Sequence, residues 1–435
     1  MRNIAIAAFA LLVCAITLLV IRPSQEDEGF GPPPRLASGH APPSPKAGPL
    51  AAPRSLEQVG LPRALTASVI PTKNPVTPAA VALGEKLFFE SRLSGDRTVS
   101  CASCHNPVRA FIDGRPTSIG IKGCVGQRNA PTVLNAMYNA TQFWDGRATT
   151  LESQAAFPII NPCEMGSSTL AAATSRIAAD RDYQRGFMSA YRRGPNSQDL
   201  VSAIAAYERT LTSFNSPFDR FIAGDNKAID SSAQRGWTLF NGKARCHLCH
   251  ALTDTKPDPT LFTDNDFHNI GIGIIRHNVV ALAQKARREI ASGQLEQVDT
   301  AAINSELSVL GRYLLTKNIA DTAAFKTPDL RNVIVTAPYF HDGSQQTLWD
   351  VVDHYNKGDG IKNPWLDADM QPLALTEPEI DDLVAFMASL TSSQYRALAE
   401  KEFARQRAIA KVNRPQRDTK RAFGPKPTQS LAPQL

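Results

Sequence analysis

The sequence predicts a mainly α-helical protein built from two similar domains. The chain has 435 residues, which is more than one hydrophobic core usually serves. It contains no convincing run of alternating polar and apolar residues that would indicate β-strands. The pattern Gly-x-x-Leu-Phe occurs at Gly84–Phe88 and again at Gly236–Phe240, and each copy precedes a Cys-x-x-Cys-His motif. This repetition is typical of a duplicated module.

Residues 1–22 are predicted to direct export. An uninterrupted apolar run, Ile4–Ile21, follows Arg2, which is the layout of a signal peptide or of a single membrane-spanning helix. Because no small-x-small cleavage site follows, we expect an uncleaved anchor in the inner membrane and a periplasmic location for the rest. Residues 23–75 are rich in Pro, Gly, Ala and Ser and should form a linker that cannot fold alone.

The first folded domain is predicted over 76–215. Thr77-Pro78 is a helix start, with an N-cap residue followed by proline at the first helical position. Residues 199–223 show helical spacing of apolar side chains and contain the sequence Ser213–Pro217, which suits a domain boundary.

The second domain is predicted over 216–395. Residues 276–325 are charged and alanine-rich, which predicts an inserted helical hairpin, and an amphipathic helix is expected from Glu377 to Leu390. Residues 396–435 form a basic tail, and prolines concentrate at both ends of the chain, so we expect the ends to be unstructured.

Two Cys-x-x-Cys-His motifs predict two covalently bound haem c groups. They are Cys101-Ala102-Ser103-Cys104-His105 and Cys246-His247-Leu248-Cys249-His250. The two thiols of such a motif bond to the haem vinyl groups, and the histidine ligates the iron from one face. Because 140 residues separate the motifs, two haem sites are simpler than one shared zinc site. The fold class is therefore two cytochrome c-like haem domains packed together.

The net charge and the composition argue against nucleic acid as a partner. The formal net charge is +6, and no run of basic residues is interleaved with aromatic residues. Nucleic acid is therefore not an expected partner.

Four further motifs carry a resemblance to a known family. They are Arg128–Asn135, Phe143–Arg147, Thr327–Asn332 and Thr336–Gly343. With them, the chain resembles the bacterial diheme cytochrome c peroxidases over residues 76–392. It is most similar to their MauG-like branch, which oxidises tyrosyl or tryptophyl residues of partner proteins.

The resemblance implies an enzyme that uses hydrogen peroxide to oxidise an electron donor through high-valent haem. The donor would be a small c-type cytochrome or another periplasmic redox protein. The alternative is a MauG-like oxidase that modifies Trp or Tyr residues of a protein substrate. The third hypothesis is a non-catalytic electron carrier or haem sensor. Ile121 and Glu164 argue against it, because a carrier needs neither an open iron nor a distal acid.

Ile121 is a departure from part of the family. In members that require reductive activation, a histidine follows the Ser-Ile-Gly that stands here at Ser118–Gly120, and it ligates the first iron in the resting state. Isoleucine cannot ligate iron, so the resemblance implies a five-coordinate His105 haem that is open to peroxide. A water or another loop residue is the alternative sixth ligand.

Tyr355 is the second departure. The peroxidases carry a methionine fourteen residues after the histidine that matches His341, whereas the MauG-like proteins carry a tyrosine there, as this chain does. A phenolate is an anionic, hard ligand that stabilises oxidised iron. Tyr355 is therefore expected to ligate the His250 haem, with His354 and Met370 as rivals.

The remaining site residues are also implied by the resemblance. Glu164, with Gln154 ten residues before it, matches the family's distal acid, which moves a proton between the peroxide oxygens. Trp144 would lie between the haems and relay electrons. Asn129 and the carbonyls of Thr336 and Pro338 match an interdomain calcium site, whose oxygen ligands suit that cation.

Two cysteines are left without a role in haem attachment. Four of the seven belong to the haem motifs and Cys14 lies in the predicted anchor, which leaves Cys124 and Cys163. Free thiols are disfavoured in an oxidising compartment, so we predict a disulfide between them. Two buried, unbonded thiols are the alternative.

Overall fold

The computed structural model describes residues 70–250, 261–274, 279–290, 294–358 and 363–413. The predicted membrane segment, residues 23–69 of the linker and residues 414–435 lie outside this part of the chain. All described residues belong to one compact unit, which spans 38–435. Within them, no helix has the length and apolar character needed to cross a bilayer.

The described residues are mainly helical, as predicted. The α-helices are α1 Pro78–Phe88, α2 Cys101–Cys104, α3 Leu151–Ile160, α4 Leu170–Ala178, α5 Arg181–Tyr191, α6 Ser197–Glu208, α7 Pro217–Ile222, α8 Ser231–Asn241, α9 Val279–Glu289, α10 Leu295–Asn304, α11 Tyr313–Thr316, α12 Leu348–Lys357, α13 Glu377–Ser389 and α14 Arg396–Asn413. Two short strands, β1 Phe267–His268 and β2 Phe325–Lys326, pair antiparallel.

The repeated Gly-x-x-Leu-Phe pattern marks two equivalent helix crossings. Helix α1 packs on α6, and α8 packs on α13. A Cβ atom on Gly84 would lie 1.9 Å from the carbonyl oxygen of Ala203, and one on Gly236 would lie 1.9 Å from that of Asp382. Only glycine allows this approach, so the pattern records the contact between helices in each module. The duplication is therefore present in the fold.

Equivalent aromatic pairs fill the space beside these crossings. The ring centroids of Phe88 and Tyr207 are 5.3 Å apart, and those of Phe240 and Phe386 are 5.0 Å apart, both edge to face. These side chains are buried in one continuous core that includes residues of both modules. Aromatic burial is a large contribution to stability, so the two modules stabilise one another through this shared core.

Several predicted helix starts are confirmed. The Thr77 hydroxyl accepts a hydrogen bond from Ala80 N at 3.2 Å and caps α1. Helix α13 covers the predicted segment, and Thr376 and Glu379 form a capping box at its start. The segment 199–223 contains the end of α6, at Glu208, and the whole of α7, which Ser216 caps, so the predicted boundary at Ser213–Pro217 lies between two helices.

The predicted insertion contains the helices α9 and α10. Their apolar side chains and those of the following turn form a separate small core that includes Leu282, Val298, Leu307 and Leu310. The insertion contacts the first module, since Gln127 N donates to Ile303 O at 2.8 Å and Arg128 Nε donates to the Ser308 hydroxyl at 2.7 Å. It therefore lies against the loop that leads into the Arg128–Asn135 motif.

The expectation of unstructured ends is wrong for two segments. Residues 396–413 form α14, where the buried Gln406 amide donates to Ile334 O at 2.9 Å and accepts from Leu348 N at 3.0 Å. At the other end, the Asn74 amide donates to Ser202 O at 2.9 Å. Both segments are held by a buried amide that satisfies backbone groups, a contact that composition does not reveal.

Candidate active site

Residues of each Cys-x-x-Cys-His motif line a separate cavity. The larger cavity, of about 270 Å³, is lined by Cys246, Cys249 and His250. The smaller cavity, of about 140 Å³, is lined by Cys104 and His105. The four motif cysteines form no disulfides, which leaves their thiols available for covalent attachment of haem.

The two motif histidines are oriented by backbone carbonyls. His105 Nδ1 lies 3.2 Å from Phe111 O, and His250 Nδ1 lies 2.6 Å from Phe262 O. Burial lowers the pKa of both imidazoles, so they are neutral at physiological pH. A neutral imidazole that donates from Nδ1 leaves the lone pair of Nε2 for a metal. In each cavity the motif histidine would therefore supply a neutral nitrogen ligand for haem iron.

Glu164 and Gln154 line the smaller cavity together with His105. Glu164 follows helix α3 in a turn where its N–H donates to Asn161 O at 3.1 Å. Its Oε2 atom is buried and has no hydrogen-bond partner in the described structure. The pKa of Glu164 is raised to about 8, mainly by burial and also by the charge of Asp299, while Arg147 opposes the shift. The carboxyl group is therefore poised to exchange a proton near neutral pH.

Ile121 does not line the smaller cavity. Its N–H donates to Glu164 O at 2.9 Å, and its side chain packs against Gly166. Cys124 and Cys163 form the predicted disulfide, which ties the Ile121 loop to the Glu164 turn. The two segments that flank the cavity are thus joined by a covalent bond and by backbone hydrogen bonding.

Tyr355 and Met370 line the larger cavity with His250. Of the two rival ligands, His354 is engaged elsewhere, because its Nε2 lies 2.8 Å from Ile270 O. Burial raises the pKa of the Tyr355 phenol above its ordinary value. A ferric iron beside the phenol would favour the opposite, ionised form. Ligation by Tyr355 stays a prediction.

Trp144 lines both cavities. Its indole Nε1 donates to Asn129 O at 3.0 Å, and its carbonyl accepts from Lys326 N at 2.7 Å. These bonds hold Trp144 on the wall that the cavities share. Electron relay through Trp144 stays a prediction.

The three predicted calcium ligands lie around the larger cavity. Asn129, Thr336 and Pro338 all line it. The Asn129 amide nitrogen donates to Arg115 O at 2.9 Å, so its Oδ1 is the atom that could bind a cation. Calcium binding stays a prediction.

Sequence reasoning missed Lys326, whose side chain lines both cavities and is almost fully buried. Burial lowers the pKa of its amine to about 8. The charge of Asp329 opposes this shift, and among the described residues the amine forms no salt bridge. Its place directly before the Thr327–Asn332 motif was the available signal.

Sequence reasoning also missed two acids and one arginine near Glu164. Glu208 lines the smaller cavity with a buried, unpartnered Oε2, and burial raises its pKa to about 8. Arg147 and Asp299 pair at 2.8 Å and act on Glu164 through their charge. Arg147 was visible in the Phe143–Arg147 motif, whereas nothing local in the sequence singles out Glu208 or Asp299.

The fold and the paired cavities define a two-haem c-type redox protein. A family model of the di-haem cytochrome c peroxidases matches residues 78–227. The methylamine utilization protein MauG of Methylorubrum extorquens is 38% identical over 322 residues, which cover 74% of this chain and 80% of that protein. The cytochrome c peroxidase Ccp of Escherichia coli is 35% identical over 321 residues, which cover 74% of this chain and 60% of that protein.

Two solved structures of related proteins are also similar to this chain. A MauG-like protein associated with microbial copper homeostasis is similar with a TM-score of 0.60 and 32% identity, covering 74% of this chain and 92% of that one. The diheme peroxidase BthA of Burkholderia thailandensis is similar with a TM-score of 0.57 and 29% identity, covering 74% and 88%. The chain belongs to the di-haem cytochrome c peroxidase family. Its cofactors are two haem c groups, and the two Cys-x-x-Cys-His motifs are the residues that would hold them.

Proposed function

We propose that this protein is a peroxidase that reduces hydrogen peroxide in the smaller cavity and draws electrons from a c-type cytochrome or a similar redox protein. The observation that carries the proposal is Glu164, a buried acid with an unpartnered oxygen, in the cavity that His105 lines. Bound haem supplies the iron that exchanges electrons with peroxide. Reduction of one peroxide to two waters consumes two electrons and two protons.

Glu164 and Gln154 supply the proton chemistry. At its Oε2 atom, the Glu164 carboxylate accepts a proton from one peroxide oxygen. It returns this proton to the other oxygen, which then leaves as water. Gln154 hydrogen-bonds peroxide and holds it beside Glu164. Since burial raises the Glu164 pKa to about 8, the carboxylate becomes more abundant as pH rises toward that value.

Ile121 bears on whether the enzyme needs activation by reduction, and Trp144 bears on the path of the electrons. With Ile121 outside the lining of the cavity, no side chain at this position competes with peroxide, and reductive activation is unnecessary. Trp144, on the shared wall, passes electrons from the larger cavity to the smaller one.

The second candidate function is that of a MauG-like oxidase acting on Trp or Tyr residues of a protein substrate. Tyr355 favours it, because this tyrosine lines the larger cavity and a phenolate ligand stabilises oxidised iron. Such an enzyme would hold oxidising equivalents for longer than a peroxidase does.

We also assign the protein to the periplasm, held at the inner membrane by residues 1–22, with calcium bound by Asn129, Thr336 and Pro338. The Cys124–Cys163 disulfide supports an oxidising compartment. The apolar run in the sequence supports the anchor.

One experiment separates the two functions. The diferric protein is mixed with one equivalent of peroxide, reduced cytochrome c is then added, and turnovers are counted. Rapid, repeated oxidation of cytochrome c supports the peroxidase. A long-lived oxidised state with slow turnover supports the MauG-like oxidase.

A further inference from the structure

A network of four buried charges lies beside the Glu164 turn. Arg147 Nη1 contacts Asp145 Oδ1 at 2.9 Å, Arg147 Nε donates to Asp299 Oδ1 at 2.8 Å, and Arg128 Nη1 contacts Asp145 Oδ2 at 3.3 Å. All four side chains are at most 4% exposed. Two cations and two anions balance, which is the condition for keeping charges in an interior.

Asp299 is the only member of this network that comes from the insertion. It lies on α10, and 152 positions of sequence separate it from Arg147. The other three belong to the Arg128–Asn135 and Phe143–Arg147 motifs. The insertion thus supplies one of the two negative charges that neutralise the motif arginines.

The second oxygen of Asp299 holds the Glu164 turn. Asp299 Oδ2 accepts a hydrogen bond from Asn161 Nδ2 at 2.6 Å. Asn161 in turn accepts from Cys163 N at 2.9 Å through its side chain, and from Glu164 N at 3.1 Å through its carbonyl. One carboxylate therefore joins α10, the turn that carries Glu164, and Arg147.

We propose that Asp299 is a positioning residue for peroxide cleavage, so that the inserted helices complete the active site of the first module. Through Asn161 it fixes the turn that aims Glu164, and through Arg147 it fixes the positive charge beside that acid. This inference rests on the role of Glu164 in the proposed function. It goes beyond that role by assigning a part of the site to a segment from the second half of the chain.

If Asp299 takes part in this charge balance, its replacement should change the ionisation of Glu164. Replacement of a purely structural residue would not. Replacing Asp299 with Asn leaves the network with one excess positive charge, and Glu164 is the neighbouring buried acid that can neutralise it by ionising. The other titratable groups on the same cavity are His105, Arg128, Glu208, Lys326 and the Cys104 thiol, which becomes a thioether when haem attaches. Outside the cavity lining, Arg147 acts on Glu164 through its charge and is itself paired with Asp145.

The test uses the full-length, haem-loaded Asp299→Asn variant. Difference infrared spectroscopy follows the carboxylic acid band of Glu164 against pH, with the band assigned by its loss in Glu164→Gln. We expect the midpoint of this Glu164 titration to lie about one pH unit or more lower in Asp299→Asn than in wild type. In stopped-flow experiments, the plateau rate of the peroxide reaction should fall about 10–100-fold, because the acid is misplaced.

Two further variants keep the test decisive. Glu296→Gln removes an exposed carboxylate from the first turn of the same helix and should change neither the midpoint nor the rate. Asn161→Ser breaks the link to the turn while leaving all four charges in place, so it should lower the plateau without moving the midpoint. Asn161→Ser also decides the question if Asp299→Asn fails to take up haem.

The outcomes separate this inference from the proposed function. If Glu164→Gln slows the peroxide reaction but Asp299→Asn and Asn161→Ser behave like wild type in both readouts, Asp299 is not a positioning residue. If Glu164→Gln itself reacts at the wild-type rate, the proposed role of Glu164 fails. The infrared midpoint then still reports whether Asp299 controls the ionisation of Glu164.

Discussion

Glu164 combines two properties that a catalytic acid–base group needs. It is buried beside the cavity that His105 lines, and one of its oxygens has no hydrogen-bond partner within the described residues. Its pKa is raised to about 8, first by burial and then by Asp299. An ordinary surface glutamate would be fully ionised at neutral pH, whereas this one exchanges protons there.

Glu164→Gln should therefore retain both haems and the resting spectrum but slow the peroxide reaction about 10²–10⁴-fold. Glutamine keeps the size of the side chain and can hydrogen-bond, yet it cannot carry the proton. In wild type, the rate should rise with pH toward about 8 and level off above it, as the carboxylate becomes the dominant form. Stopped-flow spectroscopy measures both effects, and a near wild-type rate in a normally loaded variant would remove Glu164 from the mechanism.

Tyr355→Phe should change the haem held by His250 and leave the other haem unaltered. Loss of an anionic ligand should raise the reduction potential of that haem and alter its resting optical spectrum. The matched control is His354→Gln, since His354 contacts Ile270 O and does not line the cavity. Spectroelectrochemical titration checks this, and an unchanged Tyr355→Phe spectrum would overturn the assignment.

Among the elements, the two helix crossings show how a local pattern sets the geometry of a haem module. Gly84 and Gly236 each lie where a Cβ atom would approach a carbonyl oxygen of the partner helix within 1.9 Å. The crossing angle and distance therefore depend on these residues, and the motif helix that follows α1 depends on the crossing for its position.

Gly84→Ala should separate α1 from α6, destabilise the protein by about 1–3 kcal/mol and lower haem incorporation in the first module. Gly194→Ala is the control, because a Cβ at that position meets no atom within 4 Å. Urea unfolding and haem content per chain measure the two effects. Equal stability of the two variants would contradict the account of the crossing.

The disulfide between Cys124 and Cys163 joins a loop to a turn, and it should persist in the purified protein. Alkylation of the denatured, non-reduced protein should label neither cysteine, whereas reduction should expose both. Replacing both cysteines with serine should cost about 2–4 kcal/mol, because the bond restricts the unfolded chain across 39 positions of sequence. Mass spectrometry reads the labels, and two labelled residues before reduction would exclude the bond.

The sequence predicted those elements whose signals are local. The N-cap at Thr77, the repeated glycines and the Cys-x-x-Cys-His motifs each act within one or two helical turns. Asp299 could not be found in this way, because its role depends on how α10 packs against residues about 150 positions away. Helix α14 was missed because its charged composition hides the single buried face around Gln406.

For the whole molecule, the site residues come from both halves of the chain. The smaller cavity takes His105 and Glu164 from the first half and Ile303 and Lys326 from the second. The larger cavity takes Asn129 and Trp144 from the first half. Each module alone would therefore leave both cavities incomplete.

The reaction of the never-reduced diferric protein with one equivalent of hydrogen peroxide tests whether the His105 haem is open to peroxide without prior reduction. We expect peroxide to be consumed at once, and the resting electron paramagnetic resonance spectrum to contain a high-spin ferric signal from this haem. Two low-spin haems at rest, with peroxide consumed only after one-electron reduction, would contradict it.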